Sequence, residues 1–468
     1  MSGATLPRTV SPAGAVTLPR LSLICLLVLP LPAQAAGAAE NSGLNTGPVR
    51  PVRAASAESF LSSLGVNIHI DQGYDAKNYI APLRYLGVRA VRDGIRHVDS
   101  EVMLAQATGV RFVIQGGGNL SGELASARIL AQAHALLALE GPNEPNNFAI
   151  TYQGKQGGHD HGWEPVAAFQ EALYSAVKAD PALKAYPVFG VSETGAQPTD
   201  LGLQFRTTPA NFKGAVPPGT HFADFLNVHN YVSGVHGGYG NNQAWQAADP
   251  TLDGRWDGLW GNCGVTWLRR FRGYDAAAIV HEPRVTTETG WDSVSDTGGE
   301  AVQAAVLSNT YLAQFRRGWR YTFIYELEDN EGGSGHQGLF DGARPKMAAT
   351  YIHNLTTILA DQGTLPHPGS LSFTIGTKSK TVHDLLLQKS DGEFDLVVWD
   401  ERRDGTDDVT VTFARPQKKV EVFDIAQGTE PRSSEQHARH IALQLSNHAV
   451  ILRIPAPGAH KKPAHKKP

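Results

Sequence analysis

Short apolar runs alternate with amphipathic stretches between residues 64 and 359 of the chain. The apolar runs predict buried strands, and the stretches with apolar residues every three or four positions predict helices packed against them. Strands that alternate with helices in this way form parallel sheets, and eight of them predict an α/β fold, a (β/α)8 TIM barrel. The predicted strands cover residues 65–70, 88–93, 110–115, 135–140, 186–192, 225–229, 284–288 and 321–325.

After Pro366 the pattern changes to short β-type runs with no helical segment between them. Such a series predicts an antiparallel β-sandwich that follows the barrel. We therefore expect a catalytic barrel at 58–362 and a C-terminal sandwich at 366–456. The predicted sandwich strands cover residues 371–375, 383–388, 394–399, 409–413, 420–425, 441–445 and 449–454.

The two ends of the chain differ in composition from the predicted domains. Residues 1–35 combine Arg8 and Arg20 with a short apolar stretch and a small-residue cleavage site, which is typical of a secretory signal peptide. The apolar stretch is too short to span a bilayer, so no stable membrane insertion is expected after signal removal. The Ala-, Gly- and Pro-rich residues 36–57 are typical of a leader, and the Lys- and Pro-rich residues 457–468 of a basic disordered tail.

The charge and the cysteine count narrow the classes of protein. The chain carries 41 Lys and Arg against 45 Asp and Glu, a formal net charge of −4 at pH 7. Residues 1–35 contain two arginines and no acid, so their removal gives −4 − 2 = −6. An acidic balance argues against a nucleic-acid partner. Cys263 is then the one remaining cysteine, which excludes an intramolecular disulfide. Because residues 1–35 are typical of a signal peptide, the protein is expected to be secreted or periplasmic.

Two glutamates follow predicted strands at the face where a parallel barrel carries its catalytic groups. Glu144 follows the fourth strand in the sequence Asn-Glu-Pro-Asn, and Glu288 ends the seventh in Thr-Glu-Thr-Gly-Trp. Glycoside cleavage requires one carboxylic acid to donate a proton and one carboxylate to act as nucleophile or base. We therefore predict that Glu144 and Glu288 form a catalytic pair.

The order of these motifs resembles glycoside hydrolase clan A, the retaining (β/α)8-barrel glycosidases, and in layout it is nearest to families 39, 30 and 79. The resemblance covers residues 64–359. It implies that Glu144 is the acid/base and Glu288 the nucleophile of a double-displacement mechanism. It also implies that Asn143 hydrogen-bonds the sugar 2-hydroxyl.

Further residues match the clan pattern at other strand ends. Arg92 ends the second strand, where an Arg commonly keeps the nucleophile ionised, and His229 and Tyr231 follow the sixth strand, where clan members carry a His and a Tyr that support the nucleophile. The eighth strand departs from the pattern, because it ends in Tyr325 where members often have a Trp that floors the subsite before the cleaved bond. The following Glu326 is a candidate substrate contact.

Several tryptophans are candidates for stacking against sugar rings. The longest insertion follows the sixth strand at residues 232–257 and contains Trp245 and Trp256, and Trp291 follows the seventh strand. Flat rings suit the apolar C–H faces of sugars. The same side chains could instead anchor the loop to the barrel, and one tryptophan can do both.

A second motif, His159-Asp160-His161, offers residue types that are common zinc ligands. It lacks the helical His-x-x-x-His spacing or a distant third ligand, so the sequence favours a solvated loop. We predict no metal and no cofactor. A metal-dependent barrel hydrolase is the most distant alternative.

Together these features predict a retaining glycosidase that acts on a poly- or oligosaccharide. Endo-action on a β-linked glycan is the first expectation, because the long aromatic segment favours a groove. One alternative is an exo-acting enzyme of the β-xylosidase or α-L-arabinofuranosidase type. Another is a non-catalytic carbohydrate-binding protein on the same fold, which the intact glutamate pair argues against.

Overall fold

The computed structural model describes residues 44–193, 203, 205–210, 216–233, 243–244, 282–294, 298–329, 335–361, 363–379, 381–402 and 405–456. Its strands are β1 (Arg50–Arg53), β2 (Ala55–Ser56), β3 (Leu64–Asn67), β4 (Ala90–Asp93), β5 (Arg111–Gln115), β6 (Leu136–Glu140), β7 (Ile150–Tyr152), β8 (Lys155–Gly157), β9 (Val188–Phe189), β10 (Leu226–His229), β11 (Val232–Ser233), β12 (Gln243–Ala244), β13 (Arg284–Thr289), β14 (Trp319–Ile324), β15 (Phe340–Asp341), β16 (Arg344–Pro345), β17 (Ser370–Gly376), β18 (Val382–Gln388), β19 (Phe394–Asp400), β20 (Asp407–Asp424), β21 (Ser433–Leu445) and β22 (Val450–Ile454). Its α-helices are α1 (Ala57–Leu61), α2 (Ile80–Leu86), α3 (Val98–Thr108), α4 (Leu120–Gln132), α5 (Glu164–Ala179), α6 (Gly299–Arg316) and α7 (Met347–Ile358).

Eight strands form a parallel barrel in the order β10-β13-β14-β3-β4-β5-β6-β9. The barrel closes between β9 and β10, where Phe189 and Phe225 form a parallel bridge. Each of the eight strands overlaps one of the eight apolar runs in the sequence, so the predicted (β/α)8 fold is confirmed.

Two sets of side chains hold the barrel together. Strand residues alone form a small core cluster that includes Val113, Phe189 and Phe323, whereas a larger cluster joins the strands to the surrounding helices. Gly65 on β3 is required by this packing, because a Cβ there would collide with the ring of Phe323. The alternation of the strand side chains between the two clusters follows from their period of two.

The C-terminal strands form a β-sandwich whose hydrogen-bonded order is β1-β17-β20-β22-β19-β18-β2, with β21 paired to β20. The predicted strands at 409–413 and 420–425 are in fact parts of the single strand β20. Its pairing with β21 shifts register between Thr412 and Gln417, and Pro416 lies in that shift because it has no N–H to donate. The polar residues around the proline make one strand look like two in the sequence.

The predicted leader at 36–57 is wrong for the residues of it that the structure describes. Strand β1 pairs with β17, and β2 pairs with β18. Asn45 is 3% exposed and donates to the carbonyl of Phe373. The composition hides these strands because they are short and contain a proline, which an edge strand tolerates. The predicted signal peptide and the predicted tail lie outside the described residues.

Part of the sandwich packs into the hydrophobic core of the barrel, while its other buried residues form a separate cluster. Trp399, Phe423 and Ile451 of the sandwich belong to the same buried cluster as residues of α6 and α7. Polar contacts cross the boundary as well, since Asn354 of α7 donates to the carbonyl of Ile425. No helix in the described part of the chain is long and apolar enough to cross a membrane.

Candidate active site

Charged side chains from four barrel strands meet at the carboxyl-terminal face of the barrel. Arg92 lies in β4, Glu140 ends β6, His229 ends β10 and Glu288 lies in β13, while Glu144 follows β6. All five are at most 8% exposed. A charge buried to this extent is costly unless it is paired, so each of these side chains depends on the contacts that it makes with the others.

Glu288 is held by two hydrogen-bond donors. The Arg92 Nη1 atom donates to its Oε1 at 2.7 Å, and the Tyr231 hydroxyl donates to its Oε2 at 2.7 Å. Burial raises the pKa of Tyr231 well above its ordinary value, and the charge of Glu288 raises it further, so the phenol remains a proton donor. Arg92 and Tyr231 therefore both lie against Glu288, as expected from their strand positions.

Glu144 lies in a different environment. Its Oε1 is 2.6 Å from His229 Nδ1, and its Oε2 accepts a hydrogen bond from Asn147 Nδ2 at 2.8 Å. His229 was expected to support the nucleophile, but its Nδ1 is 3.5 Å from Glu288 and closer to Glu144. The backbone of Glu144 has φ 38°, a left-handed conformation that residues other than glycine seldom adopt and that occurs often at functional sites.

The two carboxylates approach each other closely. One oxygen of Glu144, one oxygen of Glu288 and one ring nitrogen of His229 all lie within 4.8 Å of one another. In the described part of the chain this is the one set of such groups that could share a metal ion. Arg92 already occupies Glu288 at hydrogen-bond distance, and a guanidinium in that place competes with a cation for the carboxylate. His159 and Asp160 pair with each other at 3.1 Å in an exposed loop, apart from this set.

Arg92 connects the two sides of the site. Its Nε and Nη2 atoms donate to both oxygens of Glu140 at 2.7 and 2.9 Å, and Nη2 also donates to Asn143 at 2.7 Å. Burial lowers the pKa of Arg92, but the charges of Glu140 and Glu288 outweigh it and raise the pKa above its ordinary value. Glu140 is not among the residues predicted from the sequence. Its signal was an acid at the end of an otherwise apolar strand, which requires a buried partner.

Glu326, which follows the eighth strand, does not lie where the predicted substrate contact requires. This residue is fully buried, does not line the cavity, and has its Oε2 atom 3.2 Å from His69 Nδ1. Burial, together with the charges of Asp329 and Glu288, raises the pKa of Glu326 to about 8. Burial and then the charge of Arg92 lower the pKa of His69 to about 4. At neutral pH the pair is therefore a protonated carboxyl beside a neutral imidazole, and Glu326 is not a substrate contact.

A cavity of about 530 Å³ opens above the two glutamates. Tyr325 lines it as predicted, whereas Trp291 is 4% exposed and packs into the core instead. The predicted stacking residues Trp245 and Trp256 lie outside the described residues. Phe148, which the sequence analysis did not single out, stands in the wall with its side chain well exposed. The lining residues are Asn67, Ile68, His69, Asp71, Gln72, Arg92, Asp93, Gly94, Gln115, Asn143, Glu144, Asn147, Phe148, Tyr231, Glu288, Tyr325 and Gln337.

Comparison with known proteins identifies the fold. No family model matches the chain, and no curated protein matches it in sequence. Among solved structures, a family 39 glycoside hydrolase from Bacteroides cellulosilyticus is similar at TM-score 0.52 and 15% identity, over 85% of this chain and 82% of that one. A family 30 endoxylanase from Clostridium papyrosolvens is similar at TM-score 0.51 and 9% identity, over 88% and 99%.

A family 51 arabinofuranosidase from Xanthomonas axonopodis pv. citri is similar at TM-score 0.50 and 13% identity, over 87% of this chain and 98% of that one. All three neighbours are clan A (β/α)8-barrel enzymes. The chain therefore has the fold of clan A glycoside hydrolases, a barrel followed by a C-terminal β domain, and the resemblance seen in the sequence is confirmed at the level of fold.

Proposed function

We propose that the protein is a retaining glycoside hydrolase that cleaves a poly- or oligosaccharide by double displacement. The observation that carries the proposal is the approach of Glu144 and Glu288 to within 4.8 Å. Retaining enzymes hold their two carboxyl groups about 5–5.5 Å apart, whereas inverting enzymes separate them by about 6.5–9.5 Å to admit a water. The short spacing supports the retaining reaction.

The surroundings of the two carboxylates support different roles. Two donors, Arg92 and Tyr231, hydrogen-bond to the two oxygens of Glu288, an arrangement that suits a carboxylate nucleophile. In the first step Glu288 bonds to the anomeric carbon while the glycosidic C–O bond breaks and the leaving oxygen takes a proton from Glu144. In the second step Glu144 removes a proton from water, and the water oxygen displaces Glu288 from the anomeric carbon.

A chain of hydrogen bonds supports Glu144 as the proton carrier. Thr287 has one hydroxyl proton, and its Oγ1 lies 3.0 Å from both Glu140 Oε1 and Asn227 Oδ1, which can only accept it. The same oxygen must then accept from His229 Nε2, 3.0 Å away. A neutral imidazole with its proton on Nε2 can only accept at Nδ1, so in the 2.6 Å contact with Nδ1 the proton is carried by Glu144 Oε1, where the leaving group needs it.

We further propose endo-action on a β-linked glycan by a protein that is exported to the periplasm or the medium. The aromatic segment 232–257 supports endo-action, and the predicted signal peptide at 1–35 supports export. An endoxylanase among the neighbours by fold agrees with endo-action. The arabinofuranosidase among them favours the alternative, an exo-acting enzyme that releases single sugars.

Product analysis on a panel of polysaccharides tests this proposal. The full chain is incubated with xylan, arabinan and β-glucans, and the products are separated by length. We expect oligosaccharides of mixed length from one of them, with turnover lowered by roughly a thousand-fold or more in Glu144→Gln and Glu288→Gln. Glu171→Gln, an exposed glutamate of α5, should leave turnover unchanged. Unchanged activity in either site variant would exclude that residue from the reaction, and single-sugar products would replace endo-action by exo-action.

A further inference from the structure

Phe148 is an aromatic side chain that the fold leaves in solvent at the mouth of the cavity. Its residue is 61% exposed, more than any other large hydrophobic residue in the described part of the chain. The other two such residues, Ile129 and Met347, do not line the cavity. Removing an aromatic ring from water is favourable, so a ligand that covers Phe148 would gain from the contact.

The backbone that carries the ring is held in place by the turn after Glu144. The backbone N–H groups of Asn147 and Phe148 donate to the carbonyl of Glu144 at 2.7 and 2.8 Å. Two residues after Phe148 in the chain, Ile150 is 5% exposed and belongs to the large core cluster, so the chain is anchored on that side of the turn as well. His159 N–H also donates to the carbonyl of Pro145 at 2.5 Å, which ties the turn to the segment after β8. Because this backbone is already ordered, a ligand that binds Phe148 has only the side chain to immobilise.

The position of Phe148 relative to Glu144 indicates which part of a substrate it would meet. In a double displacement the acid lies beside the leaving-group oxygen, and the nucleophile attacks the opposite face of the sugar. Glu144 follows β6 while Glu288 lies in β13, three strands further around the barrel, past β9 and β10. A side chain four residues beyond Glu144 is therefore on the leaving-group side.

The neighbouring polar groups complete a surface suited to a sugar. Gln115 ends β5 and pairs in register with Glu140 at the end of β6, so it lies in the same sector of the barrel mouth. Both Gln115 and Asn147 line the cavity with Phe148. A sugar ring offers an apolar C–H face to an aromatic side chain and hydroxyl groups to amides, and this sector presents both kinds of partner.

We propose that Phe148 is the platform on which the leaving-group sugar stacks, so that it sets the preference of the enzyme for a carbohydrate leaving group. The inference rests on the proposed glycosidase function. Its ligand is the sugar unit on the reducing side of the cleaved bond, bound through a C–H face.

Two substrates with different leaving groups test the platform in the full-length protein. The first is whichever xylo-, cello- or arabino-oligosaccharide the wild type cleaves best, and the second is the glycosyl fluoride of the same sugar, whose leaving group is too small to reach Phe148. We expect Phe148→Ala to lower kcat/KM on the oligosaccharide about ten-fold, mainly through KM, and to change it less than about two-fold on the fluoride. Phe148→Trp should restore the oligosaccharide value. Ile129→Ala, an exposed apolar residue of α4, should change neither.

The other outcomes overturn the inference. Equal losses on both substrates would mean that the ring supports the turn of Glu144 and not the sugar. Equal activity of Phe148→Ala and wild type on the oligosaccharide would mean that no sugar covers the ring. A wild type that cleaves none of the probes would overturn the proposed function, and the platform with it.

Discussion

A single guanidinium, that of Arg92, joins the two halves of the site. It contacts Glu140 through two hydrogen bonds, Glu288 through one and Asn143 through one. Asn67 on β3 adds a fourth partner at 3.2 Å. Because Arg92 can only donate, the negative charge of Glu140 fixes the orientation that lets its Nη1 atom reach Glu288. Glu140 is thus a positioning residue that acts through Arg92.

Replacing this partner should impair both folding and catalysis. We expect Glu140→Gln to destabilise the protein by about 3–5 kcal/mol, since it leaves the buried guanidinium of Arg92 without one of its two carboxylate partners. We also expect kcat to fall by about ten-fold or more as Arg92 loses its orientation. Denaturant unfolding and steady-state kinetics measure the two effects.

Glu123 provides the matched control for this change. It is fully buried like Glu140, but it has no cationic partner in the described structure and accepts from Gly116 N–H at 3.0 Å. Burial raises its pKa well above the ordinary value, which disfavours the charged form that Glu123→Gln would remove. That variant should keep kcat and lose less than about 1 kcal/mol. Equal effects of the two substitutions would contradict the special role of Glu140.

Azide distinguishes the roles of Glu144 and Glu288. Glu144→Ala should still form the glycosyl-enzyme from substrates with good leaving groups, and azide can then attack it without a general base. The product is a glycosyl azide with retained configuration. Glu288→Ala lacks the nucleophile, so azide can only enter from the opposite face and give the inverted product. NMR of the glycosyl azides decides between these outcomes, and the reverse pattern would show that the assignment is backwards.

At this scale the sequence predicts residues whose neighbours along the chain form a motif. Glu144, Glu288 and Arg92 could be found because each ends or follows an apolar strand, and such ends converge in a parallel barrel. Phe148 could not be found, because exposure depends on how the turn after β6 packs. Glu326 and Trp291 were placed on the correct strand ends but point into the protein, since a sequence position does not reveal which way a side chain turns.

At the scale of elements, the barrel strands could be predicted because each is a compact apolar run followed by a turn. The strands β1, β2 and the middle of β20 could not. They gain their order from pairing with strands that are distant in the chain, as when β1 pairs with β17, and local propensity does not report such partners. The complete burial of α6 could not be predicted either, because it follows from contacts on all sides of the helix and not from the periodicity of its sequence.

Helix α3 carries a buried acid that makes stability depend on pH. Glu101 is 0% exposed, and neither carboxyl oxygen has a hydrogen-bond partner in the described structure. Burial, then the charges of Asp93 and Asp71, raise its pKa from 4.5 to about 9. The folded protein therefore binds more protons than the unfolded chain between these values, and its stability falls as pH rises through this window.

We expect Glu101→Leu to remove that penalty. The variant should raise Tm by a few degrees at pH 9, and by less at pH 5, where the carboxyl is already neutral. Differential scanning calorimetry at both pH values measures the change. Glu171→Leu, the same substitution at an exposed position of α5, should leave Tm nearly unchanged at both. A Tm gain that is larger at pH 5 than at pH 9 would contradict the raised pKa of Glu101.

At the scale of the whole molecule, the sandwich completes the core of the barrel. Every residue of α6 from Gln303 to Gln314 is buried, which a helix on the outside of an isolated barrel could not achieve. The sandwich covers its outer side, and Asn309 of α6 donates there to the carbonyls of Asp400 and Asn447 at 3.2 and 2.9 Å. The burial of α6 is therefore a specific reason to expect that the barrel depends on the sandwich for its stability.

Removing the sandwich should therefore leave an insoluble or unstable barrel. We expect a fragment of residues 57–361, which keeps α1 and all eight barrel strands, to aggregate on expression, because it exposes the apolar and amide groups of α6 that the sandwich covers. The control is a chain of residues 44–456, which should remain soluble and keep the Tm of the full-length protein. Solubility, circular dichroism and activity on the best polysaccharide are measured for both. A soluble 57–361 fragment with full activity would show that the two domains are independent, and it would remove the burial of α6 as the reason for their association.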